Sequence, residues 1–98
     1  MNFRHISQLI KRARHETRLM YSQAELAHLM GFCAQLISNV ERGLASIPAK
    51  HIVSVSDLLG IPYDDVIQAI LNDYEFKLRT IVQRELLAKE LKNRVKTM

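Results

Sequence analysis

Residues 22–43 read Ser22-Gln-Ala-Glu-Leu-Ala-His-Leu-Met-Gly31-Phe-Cys-Ala-Gln-Leu-Ile-Ser-Asn-Val-Glu-Arg-Gly43, and this stretch decides the fold. Ser22 predicts an N-cap, because its hydroxyl can accept from the free amide of Glu25. Glu25, three residues on, completes a capping box. A helix then runs from Gln23 to Met30, with Leu26, Ala27 and Met30 on its inner face. Ala27 is small, as a close helix crossing requires. Gly31 can take positive φ without a Cβ clash and ends this helix. A second helix follows from about Ala34 to Arg42, with Ile37 and Val40 turned inward, Leu36 beside them and Gly43 as its C-terminal cap.

Outward from this pair, the three- and four-residue spacing of Phe3, Ile6, Leu9, Ile10 and Ala13 predicts a first helix from Asn2 or Phe3 to His15, with Ser7, Lys11 and Arg12 on its polar face. Thr17 to Tyr21 is a connection. After the pair, Ser46 and Pro48 open a helix over Ala49–Leu59 whose core face is Ile52, Val55, Leu58 and Leu59, and Gly60 stops it. Pro62 suits the first turn of a fifth helix, and Asp64 and Asp65 sit where the helix dipole favours acids. Val66, Ile67, Ile70 and Leu71 are its expected buried side.

From Asp73 to about Lys96 no Gly or Pro intervenes, and the composition forms helix readily. Leu71, Tyr74, Leu78, Ile81, Ala88 and Val95 follow alternating three- and four-residue steps, with Glu85 and Lys92 interrupting the stripe. This is the pattern of a short, imperfect coiled-coil seam. Leu86, Leu87 and Leu91 add apolar surface off the seam. No strand and no internal repeat is legible. The expected fold class is therefore all-α: a five-helix domain over residues 1–72 plus a long C-terminal helix over residues 73–98.

Ninety-eight residues suit one small domain, and 48% apolar content argues against wholesale disorder. Net charge is +4. Residues 1–50 hold seven Lys or Arg against three acids; residues 51–73 hold no Lys or Arg and four acids; residues 74–98 again hold seven basic groups and three acids. The middle stretch is not expected to face phosphates, whereas either end could. Cys33 is the only cysteine, so no intrachain disulfide forms, which fits a reducing cytoplasm. Met1 to Ile10 holds no long apolar run, so no secretory leader is expected, and no apolar run is long enough to span a membrane.

Two short helices joined by a tight glycine turn are the layout of a helix-turn-helix, whose second helix can enter the major groove of DNA. At about 100° per residue, Ala34, Gln35, Ser38, Asn39 and Arg42 share one side of that helix. The side is polar, short and free of acids. A groove-reading helix needs this, because carboxylates repel phosphates and donor–acceptor groups discriminate base edges. Gln and Asn amides match the N6/N7 edge of adenine, and an arginine can reach a phosphate or a guanine. The competing reading, a merely solvated face, is weakened by the cap, the turn glycine and the apolar spacing around it.

Across roughly Ile6 to Val66 the chain resembles the Cro and phage-repressor type of helix-turn-helix, the XRE-like family. The resemblance rests on Arg14 late in the first helix, Ser22-Gln23-x-x-Leu26-Ala27-x-x-Met30-Gly31, Ile37-Ser38-x-x-Glu41-x-Gly43, Pro48, and Leu58-Leu59-Gly60-Ile61-Pro62. It implies a five-helix repressor-like domain that binds double-stranded operator DNA as a homodimer. It further implies that Ala34, Gln35 and Asn39 meet bases, that Gln23, Ser38, Arg42 and Ser46 lie against the DNA backbone, and that Arg14 and Glu41 form a structural ion pair. The chain departs from the family in a longer link from Arg14 to Gln23, in Cys33 where Ser or Thr usually caps, in Ala34, which offers only a methyl group, and in an apolar Leu29.

The remaining residues point elsewhere only weakly. His5, His15, His28 and His51 have no metal-ligand spacing, and Asp64 and Asp65 point apart as helical neighbours. No phosphate-cradling loop or nucleophile motif occurs, so neither an enzyme nor a cofactor is expected. Cys33 at a helix start would be a stabilised thiolate, but a small residue near a cap is the simpler reading. The C-terminal helix can pack back on its own domain as a sixth helix or pair with its twin; the second is favoured, with Tyr74, Leu78, Ile81, Ala88 and Val95 pairing with a second copy and setting half-sites one helical turn, about 34 Å, apart. The basic residues from Lys77 to Lys96 are too spread for one DNA face and suit a solvated exterior.

The expectation is a cytoplasmic, sequence-specific transcriptional regulator, a repressor in the absence of any effector or activation segment. An antitoxin that grips a toxin protein through its C-terminal helix and autoregulates its operon is the alternative. A helical protein-binding adaptor without DNA recognition is the third.

Overall fold

The computed structural model describes residues 2–97, the side chains of Lys96 and Thr97 excepted; Lys96, counted above among the exterior basic groups, thus has its side chain outside the described residues. Five α-helices follow in order: α1 Arg4–Glu16, α2 Gln23–Met30, α3 Ala34–Glu41, α4 Ile52–Leu59 and α5 Tyr63–Thr97. A single 3-10 turn, Ala49–His51, leads into α4, where one uninterrupted helix from Ala49 is the sequence expectation. The described residues contain no strand. The all-α class and the long C-terminal helix both stand.

The core is one cluster. Ile6 and Ile10 of α1, Leu26 and Ala27 of α2, Ile37 and Val40 of α3, Val55 and Leu59 of α4, and Val66 and Ala69 of α5 are all buried in it. Each comes from the apolar side of its helix, so three- and four-residue periodicity alone places most of this core. Burial of such side chains stabilises by about 1.5–3 kcal/mol apiece before chain entropy is counted.

Four features differ from the sequence reading. Ser7 is not on a polar face: it is buried, and its hydroxyl donates to the Glu41 carbonyl oxygen at 2.6 Å, meeting an α3 end that would otherwise lack a partner. The fifth helix and the C-terminal helix are one continuous helix of 35 residues, because nothing after Pro62 breaks it. Ile67 and Leu71 are not core residues but stand 41% and 54% exposed, while Val66, Ala69 and Asp73 form the inward side. Finally, Arg42 is the C-cap of α3 rather than its last helical residue.

Asp73 is the least expected core residue. Its carboxylate accepts from the backbone N–H groups of His5 at 2.8 Å and Ile6 at 3.0 Å, in the first turn of α1. A carboxylate there satisfies free donors and complements the helix dipole. Phe3, the residue in the N-cap position, makes no side-chain cap bond, so the cap is supplied from α5. Beyond this point α5 leaves the domain. The molecule measures 64 × 25 × 22 Å, and this helix, about 52 Å long at 1.5 Å per residue, supplies most of the long dimension.

Candidate nucleic-acid interface

The interface is built from the turn outward. Ser22 Oγ accepts from the Glu25 N–H at 3.0 Å, and the Ser22 N–H donates back to Glu25 Oε1 at 3.2 Å, so the capping box closes as the sequence predicts. Ser22 beside it, through its hydroxyl first and its backbone N–H second, holds the Glu25 carboxyl below its ordinary range. At the other end Gly31 takes φ +75°, with its N–H donating to His28 and the Phe32 N–H donating to Ala27 at 2.8 Å. This paired closure is a Schellman motif, and it needs the left-handed conformation at Gly31. Phe32 then packs its ring edge-on to His51 at 4.0 Å, bracing the turn from the α4 side. Cys33 is exposed, extended, and makes no cap bond, so α3 starts without one.

Within α3, Ile37 and Val40 are fully buried against α1 and α2. This fixes the helix's rotation and turns Ala34, Gln35 and Arg42 to solvent, with Ser38 and Asn39 half-buried beside them. Gln35 Nε2 donates to Asn39 Oδ1 at 2.9 Å, one turn along. The bond uses one amide atom of each residue and leaves the Gln35 oxygen and the Asn39 amino group outside it.

The one acid in α3 faces away from this surface. Glu41 is buried, and Arg14 of α1 grips it bidentately, Nε to Oε2 at 2.8 Å and Nη2 to Oε1 at 2.9 Å. The third arm of the guanidinium, Nη1, donates to the Tyr21 carbonyl at 3.0 Å and so ties down the link before α2. Burial pushes the Glu41 carboxyl up, but the bonds from Arg14 and Gln23 and the nearby positive charge outweigh it, and the group lies below the usual carboxylate range. The hydrogen bond to Glu41 in turn raises the Arg14 guanidinium. The outward face of α3 therefore carries the Arg42 cation and no carboxylate.

Of the residues the sequence singles out, Ala34, Gln35, Ser38, Asn39 and Arg42 share this face. Gln23, half-buried at the start of α2, is turned in part toward Glu41. Ser46 departs from expectation: its hydroxyl oxygen is enclosed and has no partner among the described residues, so it is not presented to a phosphate. The loop that follows α3 buries Ile47, and this draws Ser46 inward.

A family model described as helix-turn-helix matches residues 10–66, more than half of the chain. The chain belongs to the helix-turn-helix family of the Cro and phage-repressor, XRE-like type. Comparisons with curated proteins and with solved structures return no match. Family membership makes this helix-turn-helix protein a DNA-binding regulator. No helix of the described residues is long and apolar enough to cross a membrane.

Sequence reasoning missed Ser7 and Asp73 as polar supports of the domain. A serine at a helical position and an aspartate between two apolar runs carry no local sign of a distant backbone partner. It also missed Met20, whose φ of +48° turns the long link before α2.

The C-terminal stripe lies fully outside the domain. Tyr74, Leu78 and Val95 are 60%, 64% and 73% exposed, and Ile81 and Ala88 are exposed with them. Leu71, where the sequence starts the seam, and Ile67 one step before it lie on the same line, so the stripe begins one position earlier than the sequence suggests.

Proposed function

We propose that this protein is a sequence-specific repressor that binds operator DNA as a homodimer, with α3 in the major groove. The observation that carries this reading is the acid-free outer face of α3, whose only carboxylate is withdrawn behind it by Arg14. Gln35 and Asn39 are assigned to base edges, Ala34 to a thymine methyl, and Ser38 and Arg42 to the flanking backbone. Gln23, at the start of α2, is assigned to a phosphate beside the groove. Repression needs nothing further than occupancy, since a bound domain excludes other proteins from the same DNA. Affinity rests on phosphate contacts and weakens steeply with salt, while selectivity rests on α3.

The test is selection of bound sequences from random duplexes by the full chain. The reading expects convergence on one motif with two-fold symmetry. Failure to converge, with binding that depends only on salt, would remove the sequence-specific assignment.

The exposed stripe on α5 favours one alternative, an antitoxin whose arm holds a toxin protein while α3 serves autoregulation. A toxin-sized reading frame beside the gene, whose product binds this chain through α5, favours the second reading.

A further inference from the structure

The distal part of α5 stands clear of its own domain. The radius of gyration is 17.9 Å, against about 13 Å for a compact chain of this length. The inward side of the proximal part, Val66, Ala69 and Asp73, is used up against the domain. A different side carries the seam, which steps alternately by four and three residues from Ile67 through Leu71, Tyr74, Leu78 and Ile81 to Glu85, Ala88, Lys92 and Val95. Every one of these residues is exposed. A sustained period of 3.5 residues is what keeps one helix in contact with another helix along its length. On the dimer reading above, that other helix is α5 of a second copy.

Charge decides the direction of pairing. In a parallel pair each seam position meets its own twin, so Glu85 faces Glu85 and Lys92 faces Lys92, and Arg84 flanks Lys89. Like charges then meet at three successive places, two of them inside the seam. An antiparallel pair crossing at Gln83 removes both seam repulsions. Leu71 lies against Val95 of the second copy, Tyr74 against Lys92, Leu78 against Ala88, and Ile81 against Glu85. Lys92 can lay its stem along the Tyr74 ring and keep its ammonium at the ring's face or in water. Glu75 flanks Lys89 of the second copy, twice by symmetry, with opposite signs. The one like-charge meeting, Arg84 with its twin, has a Glu85 of each copy beside it. This crossing also uses every seam position from Leu71 to Val95, which no parallel pairing does without opposing like charges.

We propose that α5 pairs antiparallel with α5 of a second copy, crossing at Gln83 and leaving the two DNA-binding domains at opposite ends of the paired helices. The proposal rests on the dimer reading, and its test separates the two. The full chain with Cys33→Ser is spin-labelled through Gln83→Cys in one preparation and Asn93→Cys in another, after sedimentation gives the mass. At a rise of 1.5 Å per residue, the two labels of a dimer show almost no axial separation at position 83 and about 30 Å at position 93. Similar short distances at both positions overturn the antiparallel assignment and leave the dimer standing. Long distances at both place the contact elsewhere and overturn it too. A monomeric mass for the unsubstituted chain overturns this proposal and the dimer together.

Discussion

Asp73, in the first third of the longest helix, closes the first turn of α1: one carboxylate oxygen accepts both the backbone N–H and the ring Nδ1 of His5 at 2.8 Å. The other oxygen takes the Ile6 N–H at 3.0 Å. The start of the chain and the arm that leaves the domain are therefore one structural unit. Asp73→Ala leaves buried donors without acceptors and is expected to destabilise by about 2 kcal/mol, measured by urea unfolding. Asp73→Asn, which keeps one acceptor, loses less. A chain ending at residue 72 is less stable than one ending at residue 76, although position 73 makes no apolar contribution to the core.

The Arg14–Glu41 pair gives a second expectation. Breaking a buried pair from one side costs about 3–5 kcal/mol, because the other charge stays buried and uncompensated. Arg14→Met alone is thus severe, whereas Arg14→Met combined with Glu41→Leu recovers much of the loss. A double-mutant cycle by thermal or urea unfolding measures the difference.

The same pair sets an acid limit. The folded Glu41 carboxyl lies below its ordinary range, so the folded state binds this proton less readily than the unfolded chain does. Its contribution is fully present above the ordinary carboxylate value of about 4.3 and is lost as pH falls from there through the lower folded value. Unfolding midpoints of the wild type and of Glu41→Gln, followed against pH, are expected to converge on acidification. A constant gap across that window would contradict the assignment.

Gly31 isolates backbone strain. Its φ of +75° is one that other residues resist, yet a Cβ there would meet nothing within 4 Å. Gly31→Ala is expected to cost about 1–2 kcal/mol through conformation alone, and Gly31→Asn less. Urea unfolding of the two variants separates this from a steric clash, which would penalise Asn more than Ala.

Much of the architecture was legible because it is local. The Ser22–Glu25 box, the Gly31 turn and the Ile37–Val40 anchor each depend on residues within one or two turns. What was not legible depends on chain segments far apart. Ile67 read as core and Leu71 as both core and seam because their spacing fits either face, and only the actual rotation of α5, set by Val66, Ala69 and Asp73, turns both outward. Ser46 read as a phosphate contact by family position, but burial of the neighbouring Ile47 decides where its hydroxyl lies. Ser7 and Asp73 serve distant backbone groups that no spacing rule reveals.

The central claim is that the amides of Gln35 and Asn39 read bases from the outer face of α3. The most direct measurement is the affinity of the wild type, Gln35→Ala, Asn39→Ala and the double variant for the selected operator, for its single-base variants and for random duplex, at one salt concentration. The account predicts a loss of about 1–3 kcal/mol per single variant on the operator, with discrimination relaxed at a particular base pair and random-duplex affinity unchanged. It also predicts a non-additive double variant, because the two side chains hydrogen-bond to each other at 2.9 Å. An equal loss on random duplex, or no loss on the operator, would contradict it.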